Sequence, residues 1–565
     1  MIWKLACQNH DKAREIADKL NVSALTGQIL LNRGITDVNS AYDFLNFDQN
    51  KANDPFLFTN MHPVTDKIID IIKKGKKILI YGDYDVDGSA SCAILGRFFN
   101  SIDYNNFIFF QPNRLKDGYG FHGWITEYAK KKSVDLIITV DCGVTDRKAV
   151  EKANNEGMEV IVTDHHQIVN ELPSNDLILL PSLKNDKGDC YPNQHIAGVG
   201  VAFQLARALA RKMNKKIDWL PLMELLALGT VVDVAPLMGE NRLFVYHGLK
   251  AIANTKILGL DSLIRISRLD KKNINTMHLG FYLGPRLNAA GRMGEPSLAT
   301  ELLLTDNPAR AEKLAIELNK INSQRQDEQE KILKKMEMQL SEEASEDAYI
   351  NFAVGKDLHA GIIGLVASKL QDNLYKPTIV ISLSKNIGVG SCRSIPEFNI
   401  IDALRKFQGY FLRLGGHPQA AGFTIDEKNI NKLKSELNTY SKEILKKEDL
   451  IPKLEIDAVI PIESLSLDLI NEIGMLAPFG NSNNYPILAS YDLQVIDKRK
   501  LSEGKHIKIY VKSKTQGHLE TIGWNMGYLF DKLTSPKINM VYEPETNYFN
   551  GITKIQLKIR DIQFS

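Results

Sequence analysis

The sequence predicts an α/β protein built on a parallel sheet, and three observations predict it. Short apolar runs of strand type recur at Ile78-Leu79-Ile80-Tyr81, Leu136-Ile137-Ile138-Thr139-Val140 and Val160-Ile161-Val162-Thr163. Helix-compatible stretches separate the runs. Each run gives way at once to polar residues: Asp83-Tyr84-Asp85-Val86-Asp87-Gly88, Asp141-Cys142-Gly143 and Asp164-His165-His166. In open α/β sheets the carboxyl edge of the strands is where active sites lie.

Carboxylates crowded at one edge repel one another unless a cation compensates them. Carboxylate oxygens mixed with imidazole suit Mn²⁺ or Mg²⁺ better than a thiolate-bound metal. The expectation is therefore a divalent-metal site holding two ions. A lone Asp after a strand is usually a turn or helix cap; the joint pattern is what points to metal. His165 and His166 are adjacent, so on an extended segment their rings point oppositely. His165 is expected as the ligand, and His166 as a group behind it or against a phosphate.

The remaining elements follow in chain order. At 565 residues the chain implies three or four domains of roughly 150 residues each. Residues 1–50 predict an amino-terminal helical appendage with an Arg33-Gly34-Ile35-Thr36 turn and a Phe44-Leu45 anchor. Residues 51–305 hold the sheet and turn mainly helical from 198 to 254, where the apolar segment Ala227-Leu228-Gly229-Thr230-Val231-Val232 stops at Asp233, a further candidate ligand. Residues 306–348 predict a long solvated helix, carrying Glu312, Lys313, Glu317, Lys320, Arg325 and Lys331, closed by an acidic loop at 341–347. Residues 349–450 predict a second, smaller α/β domain with glycine-rich spots at Gly388-Val389-Gly390 and Gly415-Gly416-His417. Residues 451–565 alternate polar and apolar positions in short strands, the pattern of a small β-barrel with Tyr485, Tyr491, Tyr510 and Trp524 in its core.

Composition narrows the function classes. Lys+Arg total 70 against Asp+Glu 68, so no global charge selects or excludes a nucleic acid. Five widely spaced cysteines without a C-x-x-C pair read as reduced thiols. With no signal-type amino terminus and no apolar run of about 18 residues, a cytoplasmic protein without a membrane segment is expected. Asp83-x-Asp85-x-Asp87-Gly88 opens like a calcium-binding loop, but Ile94 stands where the closing Glu belongs and a strand precedes it. Gly198-Val199-Gly200-Val201-Ala202-Phe203 opens like a dinucleotide fingerprint, yet Phe203 replaces the third glycine; a helix amino terminus that meets a phosphate is expected instead. No G-x-x-x-x-G-K-[ST] loop exists, so ATP coupling is unsupported.

The three acidic motifs, with Tyr81-Gly82 before the first and Thr139-Val140 and Thr163 before the others, resemble in order and spacing those of the DHH phosphoesterase superfamily. Further stretches resemble its bacterial RecJ branch: Val231-Val232-Asp233, Gly284-Pro285-Arg286-Leu287-Asn288-Ala289-Ala290-Gly291-Arg292-Met293, His359-Ala360-Gly361-Ile362-Ile363-Gly364, Gly390-Ser391-Cys392-Arg393-Ser394 and Gly415-Gly416-His417. With the barrel, the likeness spans nearly the whole chain. It implies a parallel-sheet DHH domain at 51–305, a long connecting helix, a DHH-associated α/β domain at 349–450 and an OB-like domain at 451–565. It also implies a 5′-to-3′ exonuclease specific for single-stranded DNA, a monomer that acts in recombination and repair and releases 5′-mononucleotides. A helicase and a single-strand-binding protein would supply its substrate.

By the same likeness the metal ligands fall on Asp85, Asp87, Asp141, His165 and Asp233, with Asp83 close by and His166 facing the reacting phosphate. Ser391, Arg393 and Ser394 would grip the 5′ end, and Arg114, Arg286, Arg292 and His417 would contact the strand. Two segments depart from the branch: Leu180-Pro181-Ser182 replaces a common Asn-Pro pair, and Phe479-Gly480-Asn481-Ser482-Asn483 lacks a usual second glycine. The superfamily also includes phosphodiesterases of short oligonucleotides and cyclic dinucleotides, the alternative reading; the barrel argues for a polymer. A catalytically silent scaffold is disfavoured because every expected ligand type is present. Charge alone suggests the mechanism: two cations about 3.5–4 Å apart activate water and neutralise the leaving oxygen, with Asp141 as the natural bridge.

Overall fold

The computed structural model describes residues 1–168, 171–173, 177–343, 347–515, 517–549 and 551–564. The chain divides into two compact units, one of Asn53–Ala235 and His247–Ile451, the other of Met1–Ala52, Pro236–Tyr246 and Pro452–Ser565.

The first unit opens on a five-stranded sheet. Strands β1 (Ile78–Gly82), β2 (Phe107–Phe110), β3 (Leu136–Val140), β4 (Glu159–Thr163) and β5 (Ile178–Leu179) lie in the order β2-β1-β3-β4-β5, all parallel. Strands β1 and β3 are buried throughout, which is why they read as unbroken apolar runs rather than alternating ones. The register pairs Gly82 with Val140 and Val140 with Thr163, so Asp83, Asp141 and Asp164 leave the sheet side by side.

Helix α1 (Val86–Ser101) follows β1 and is buried along most of its length, packed against α2 (Gly198–Lys212) and α3 (Leu220–Val232). Its small residues make this possible. A Cβ on Gly88 would lie 2.4 Å from the Asp83 carbonyl oxygen, so the first turn can fold tightly under the strand end only with glycine there. A π-helical turn, Leu279–Leu283, leads directly into α4 (Gly284–Met293), and Asn307 caps α5 (Pro308–Glu342).

The sequence predicted α5 as a solvated helix, and on this point the structure differs. One stripe, Ala311, Leu314, Ala315, Leu318, Asn322, Arg325, Ile332 and Met336, is buried at helical spacing beneath the charged residues that dominate the sequence. The helix runs into the expected acidic loop as far as Glu342, and residues 344–346 lie outside the described residues.

Beyond α5, strands β6 (Asn351–Lys356), β7 (Thr378–Ser384), β8 (Ile387–Arg393), β9 (Phe411–His417) and β10 (Ala420–Asp426) form a mixed sheet ordered β9-β10-β8-β7-β6. Only β6 and β7 are parallel, and α6 (Ile363–Leu374) crosses between them.

In the other unit, β11 (Leu488–Leu501), β12 (His506–Ser513), β13 (Gly517–Gly523), β14 (Lys537–Phe549) and β15 (Ile552–Phe564) run β11-β12-β13-β15-β14, and β14 pairs back onto β11 to close a barrel. Ile507, Ile509, Val511, Ile538, Met540 and Leu557 fill it, and Ile16, Ile29, Leu30, Ala41 and Phe44 of the amino-terminal helices join the same core. Strand Ile2–Leu5 pairs with Lys453–Ile456 in this unit. The aromatic expectation needs correction here: Tyr491 and Trp524 are 48% and 50% exposed, and Tyr485 and Tyr510 are only partly buried. Ser482, in the segment short of a second glycine, takes φ +63° itself. Among the described residues no helix is long and apolar enough to cross a membrane.

Candidate metal centre

The ends of β1, β3 and β4 and the amino termini of α1 and α2 build the site. Asp83 donates its backbone N–H to the Val140 carbonyl (3.3 Å), continuing the ladder one step past the strand. Asp85 caps α1 by accepting the Gly88 amide (3.1 Å), and Asp87 sits in that helix's first turn. Asp141 turns the chain off β3 at φ +61°, the left-handed region, with its amide held by the Thr163 carbonyl (3.0 Å). Asp233 ends α3, donating its amide to the Gly229 carbonyl (2.8 Å).

These side chains converge. One ligand atom each from Asp83, Asp85 and Asp141 lie within 4.8 Å of one another, and so do those from Asp87, His165 and Asp233. Asp141 and His165 join the two sets, with His165 Nε2 3.1 Å from Asp141 Oδ1 and 3.8 Å from Asp87 Oδ2. The 3.1 Å approach lies outside hydrogen-bonding direction: Asp83 Oδ1, Asp141 Oδ1 and His165 Nε2 are all buried without a hydrogen bond among the described residues. Buried polar atoms left in this state are costly unless a cation or water completes them.

Electrostatics agrees. Burial and the crowding of like charges push the Asp83 and Asp141 carboxyls well above the usual range, Asp87 up to about 7 and Asp233 up to about 9. Burial, reinforced by the neighbouring His166, holds His165 down at about 4, so it presents a neutral imidazole.

The amino terminus of α2, expected to meet a phosphate, is already occupied by Asp87. Asp87 Oδ2 accepts the Gly198 amide (2.7 Å) and Oδ1 accepts that of Val199 (2.8 Å). Gly198 also makes room for the cluster, because a Cβ there would lie 2.6 Å from Asp141 Oδ1.

Asp164 does not join the carboxylate cluster. Its Oδ2 accepts the Val144 amide (2.9 Å), while Oδ1 accepts the amides of His165 (2.7 Å) and His166 (3.1 Å) and meets His166 Nδ1 at 2.7 Å. Burial alone would lower His166, but the contact with Asp164 prevails and raises it to about 9. Tyr119 Oη stands 3.0 Å from His166 Nδ1, on a turn where Gly118 and Gly120 take φ +86° and +99°. The Gly118-Tyr119-Gly120 triplet was the available sequence signal for this residue, and sequence reasoning passed over it.

A cavity of about 280 Å³ opens above the cluster, lined also by Arg114, Tyr119, His166, Asn288 and Arg292. Asn288 Oδ1 accepts the Val86 amide (3.2 Å) at the start of α1. Arg114 lies over the Tyr84 ring at 5.2 Å. Burial, together with repulsion from Arg114, Arg325 and Arg393, lowers the Arg292 guanidinium to about 10. Among the described residues no carboxylate pairs with any of these four arginines, so their charge is available to an anion. Arg325 was not a sequence candidate, because its neighbours on α5 are charged and solvated.

Other candidates fall elsewhere. Arg286 does not line the cavity; it donates to Asn319 Oδ1 (3.0 Å) on α5 and to the Tyr282 carbonyl (2.7 Å). Ser394 Oγ donates to the Phe398 carbonyl (2.6 Å) and shapes the turn after β8. Ser391 and Arg393 share a niche under α6, where a Cβ on Gly364 would lie 3.0 Å from Ser391 Oγ and 3.4 Å from the Arg393 guanidinium. His417 is exposed at the end of edge strand β9 and lies outside the cavity lining.

Comparison with known proteins follows the same segments. Residues 77–230 match the DHH family, N-terminal domain; 346–443 match the DHHA1 domain; and 456–561 match the RecJ OB domain. The single-stranded-DNA-specific exonuclease RecJ of Bacillus subtilis strain 168 is 34% identical over 100% of this chain and 71% of its own length. The crystal structure of RecJ from Thermus thermophilus in complex with Mn²⁺ superposes with a TM-score of 0.85 at 26% identity, covering 100% of this chain and 80% of that one. The Mg²⁺ complex of the same protein matches with a TM-score of 0.79 at 26% identity, over 100% of this chain and 78% of that one.

Proposed function

The chain belongs to the RecJ family of DHH proteins, and from that premise we propose that it is a Mn²⁺- or Mg²⁺-dependent exonuclease specific for single-stranded DNA. It removes 5′-mononucleotides in the 5′-to-3′ direction, in recombination and repair, on strands exposed by a helicase and held by a single-strand-binding protein. The observation that carries this reading is the junction of Asp141 and His165 between two sets of buried donors, beside arginines that have no carboxylate partner.

Hard carboxylate oxygens with one neutral imidazole fit Mn²⁺ or Mg²⁺, and the three orphaned buried atoms fit cation coordination better than any internal hydrogen bond. Two such ions would supply a low-pKa water and neutralise charge at the phosphoryl and leaving oxygens. Asp141 faces both donor sets, with Asp83 and Asp85 on one side and Asp87, His165 and Asp233 on the other. The α2 amides fix the Asp87 carboxylate, so its position does not depend on what it binds. His166, charged at neutral pH and clamped by Asp164, directs an N–H toward the phosphate that enters the cavity.

Arg114, Arg292 and Arg393, with Ser391, hold the phosphate at the 5′ end, which places the next phosphodiester at the donors and sets both polarity and product size. The cavity of about 280 Å³ lies just below the roughly 300–1,000 Å³ of small-ligand sites, a size that suits one nucleotide rather than a base pair.

Digestion of 5′-labelled and 3′-labelled single strands with Mn²⁺ tests the reading. The 5′ label should appear at once as mononucleotide while the 3′ label stays on shortening fragments. Early release of the 3′ label, or equal digestion of blunt duplex, would refute it.

A further inference from the structure

Phe281 has the largest exposed fraction of any large apolar side chain among the described residues, 77%, and it stands on the π-helical turn that feeds α4. Its neighbours explain how it is held there. Leu279 and Leu283 are fully buried, so the turn is anchored on both sides of an aromatic ring that the core does not take up. Single exposed apolar residues are common and need no explanation; the position of this one relative to the cavity is what distinguishes it.

Phe281, Asn288 and Arg292 lie on one continuous helical run, Phe281 on its π-helical turn and the other two on α4. Asn288 and Arg292 both line the cavity. The run is tied to the cavity wall between them: a Cβ on Gly284 would lie 2.6 Å from Val232 Cγ2, and Val232 also lines the cavity. Seven residues of this run separate Phe281 from Asn288, about 10 Å along the axis, so the ring stands beyond the residues that line the cavity. π-helical turns are rare and often mark functional positions.

We propose that the Phe281 ring is a stacking platform for a nucleobase of the single strand, roughly one or two nucleotides from the phosphate held at the donors. The inference rests on the exonuclease reading above and adds a positioning residue to it. The occupant must be flat and apolar on its face yet attached to an anion, because the cavity on the same helical run offers arginines to a phosphate and carboxylates to cations. A nucleobase on its sugar-phosphate backbone has these properties, and stacking is tolerant of sequence, as an exonuclease that meets every base in turn needs. Tyr282, 41% exposed, has its ring against that of His278 (5.6 Å between centroids) and is not part of the platform.

The test compares ordinary 5′-phosphorylated single strands with strands whose terminal six nucleotides are tetrahydrofuran abasic residues. Phe281→Ala should raise KM for the ordinary strand about fivefold to a hundredfold, leave kcat within about twofold, and have no effect on the abasic strand. Phe281→Trp should restore the parent KM. An equal loss on both strands would make Phe281 structural and overturn the proposal, as would an unchanged KM. A parent enzyme that degrades no single strand would sink the exonuclease reading itself, whereas active enzyme with Phe281→Ala indistinguishable from the parent sinks this inference alone.

Discussion

Asp164 Oδ1 lies 2.7 Å from His166 Nδ1, and the same oxygen accepts the backbone amides of both histidines. The first residue of the Asp-His-His tripeptide therefore holds the other two in place instead of facing the cations. It also separates their chemistry, with His166 raised to about 9 and His165, beside the carboxylates but buried, lowered to about 4.

Asp164→Asn keeps an acceptor for the amides but removes the charge that holds the imidazolium. The alkaline limb of the rate profile, near pH 9 in the parent, should move toward the ordinary histidine value of about 6.5, and kcat at pH 8 should fall roughly thirtyfold. An unchanged profile would mean that His166 is not the group being titrated.

The cation-free protein should lose stability as pH rises. Asp87 and Asp233 have folded pKa values raised to about 7 and about 9, above the unfolded carboxyl value of 3.8, and His166 is raised above 6.5. Each contributes stability fully present below its unfolded value and lost as pH climbs through the folded one; Asp164, lowered, works in the opposite sense. Calorimetry in chelator should show Tm falling between about pH 6 and 9. Added Mn²⁺ should raise Tm more at about pH 8.5 than at about pH 6, because it displaces those protons. Equal increments would contradict the carboxylate assignment.

Gly198→Ala places a Cβ 2.6 Å from Asp141 Oδ1 in an already full space. A shift of even part of an ångström in that carboxylate should lower kcat about 10- to 100-fold and weaken Mn²⁺ binding, with circular dichroism unchanged. Full activity would show that the cluster tolerates displacement.

Arg292 and Arg286 sit six residues apart on one helix and should behave differently. Arg292→Ala removes a cavity cation and should raise KM for single strands at least about tenfold while reducing the salt slope of binding by about 0.7. Arg286→Ala removes contacts to Asn319 and Tyr282, and should cost about 1 kcal/mol of stability with little change in KM. Titrations at several salt concentrations distinguish them.

The sheet and the convergence of acidic residues at its edge were legible because strand ends can be read from apolar runs and the polar residues follow them immediately. Asp233 was legible for the same reason, as the point where a helix stops. What escaped depends on packing between distant segments. Gly198 looks like part of a nucleotide loop until α2 is seen to aim at Asp87. Arg325 looks solvated until α5 is seen to bury one stripe. Arg286 and Arg292 occur in one motif, and only the phase of α4 sends one toward the cavity and the other toward α5. Tyr491 and Trp524 illustrate the reverse error: Tyr491 sits where β11 slips register between Ser490 and Leu493, and Trp524 stands in the turn just past β13, so neither follows the alternation of a regular strand.

Mn²⁺ stoichiometry by electron paramagnetic resonance tests most directly whether the donors from β1, β3, β4, α1 and α3 form one binuclear centre. The parent should bind two ions per chain, close enough to couple magnetically, and Asp141→Ala should lose the coupled signal and cleavage together while still binding single strands within a fewfold of the parent. Binding of no ion above background, or a coupled pair that persists in Asp141→Ala, would contradict it.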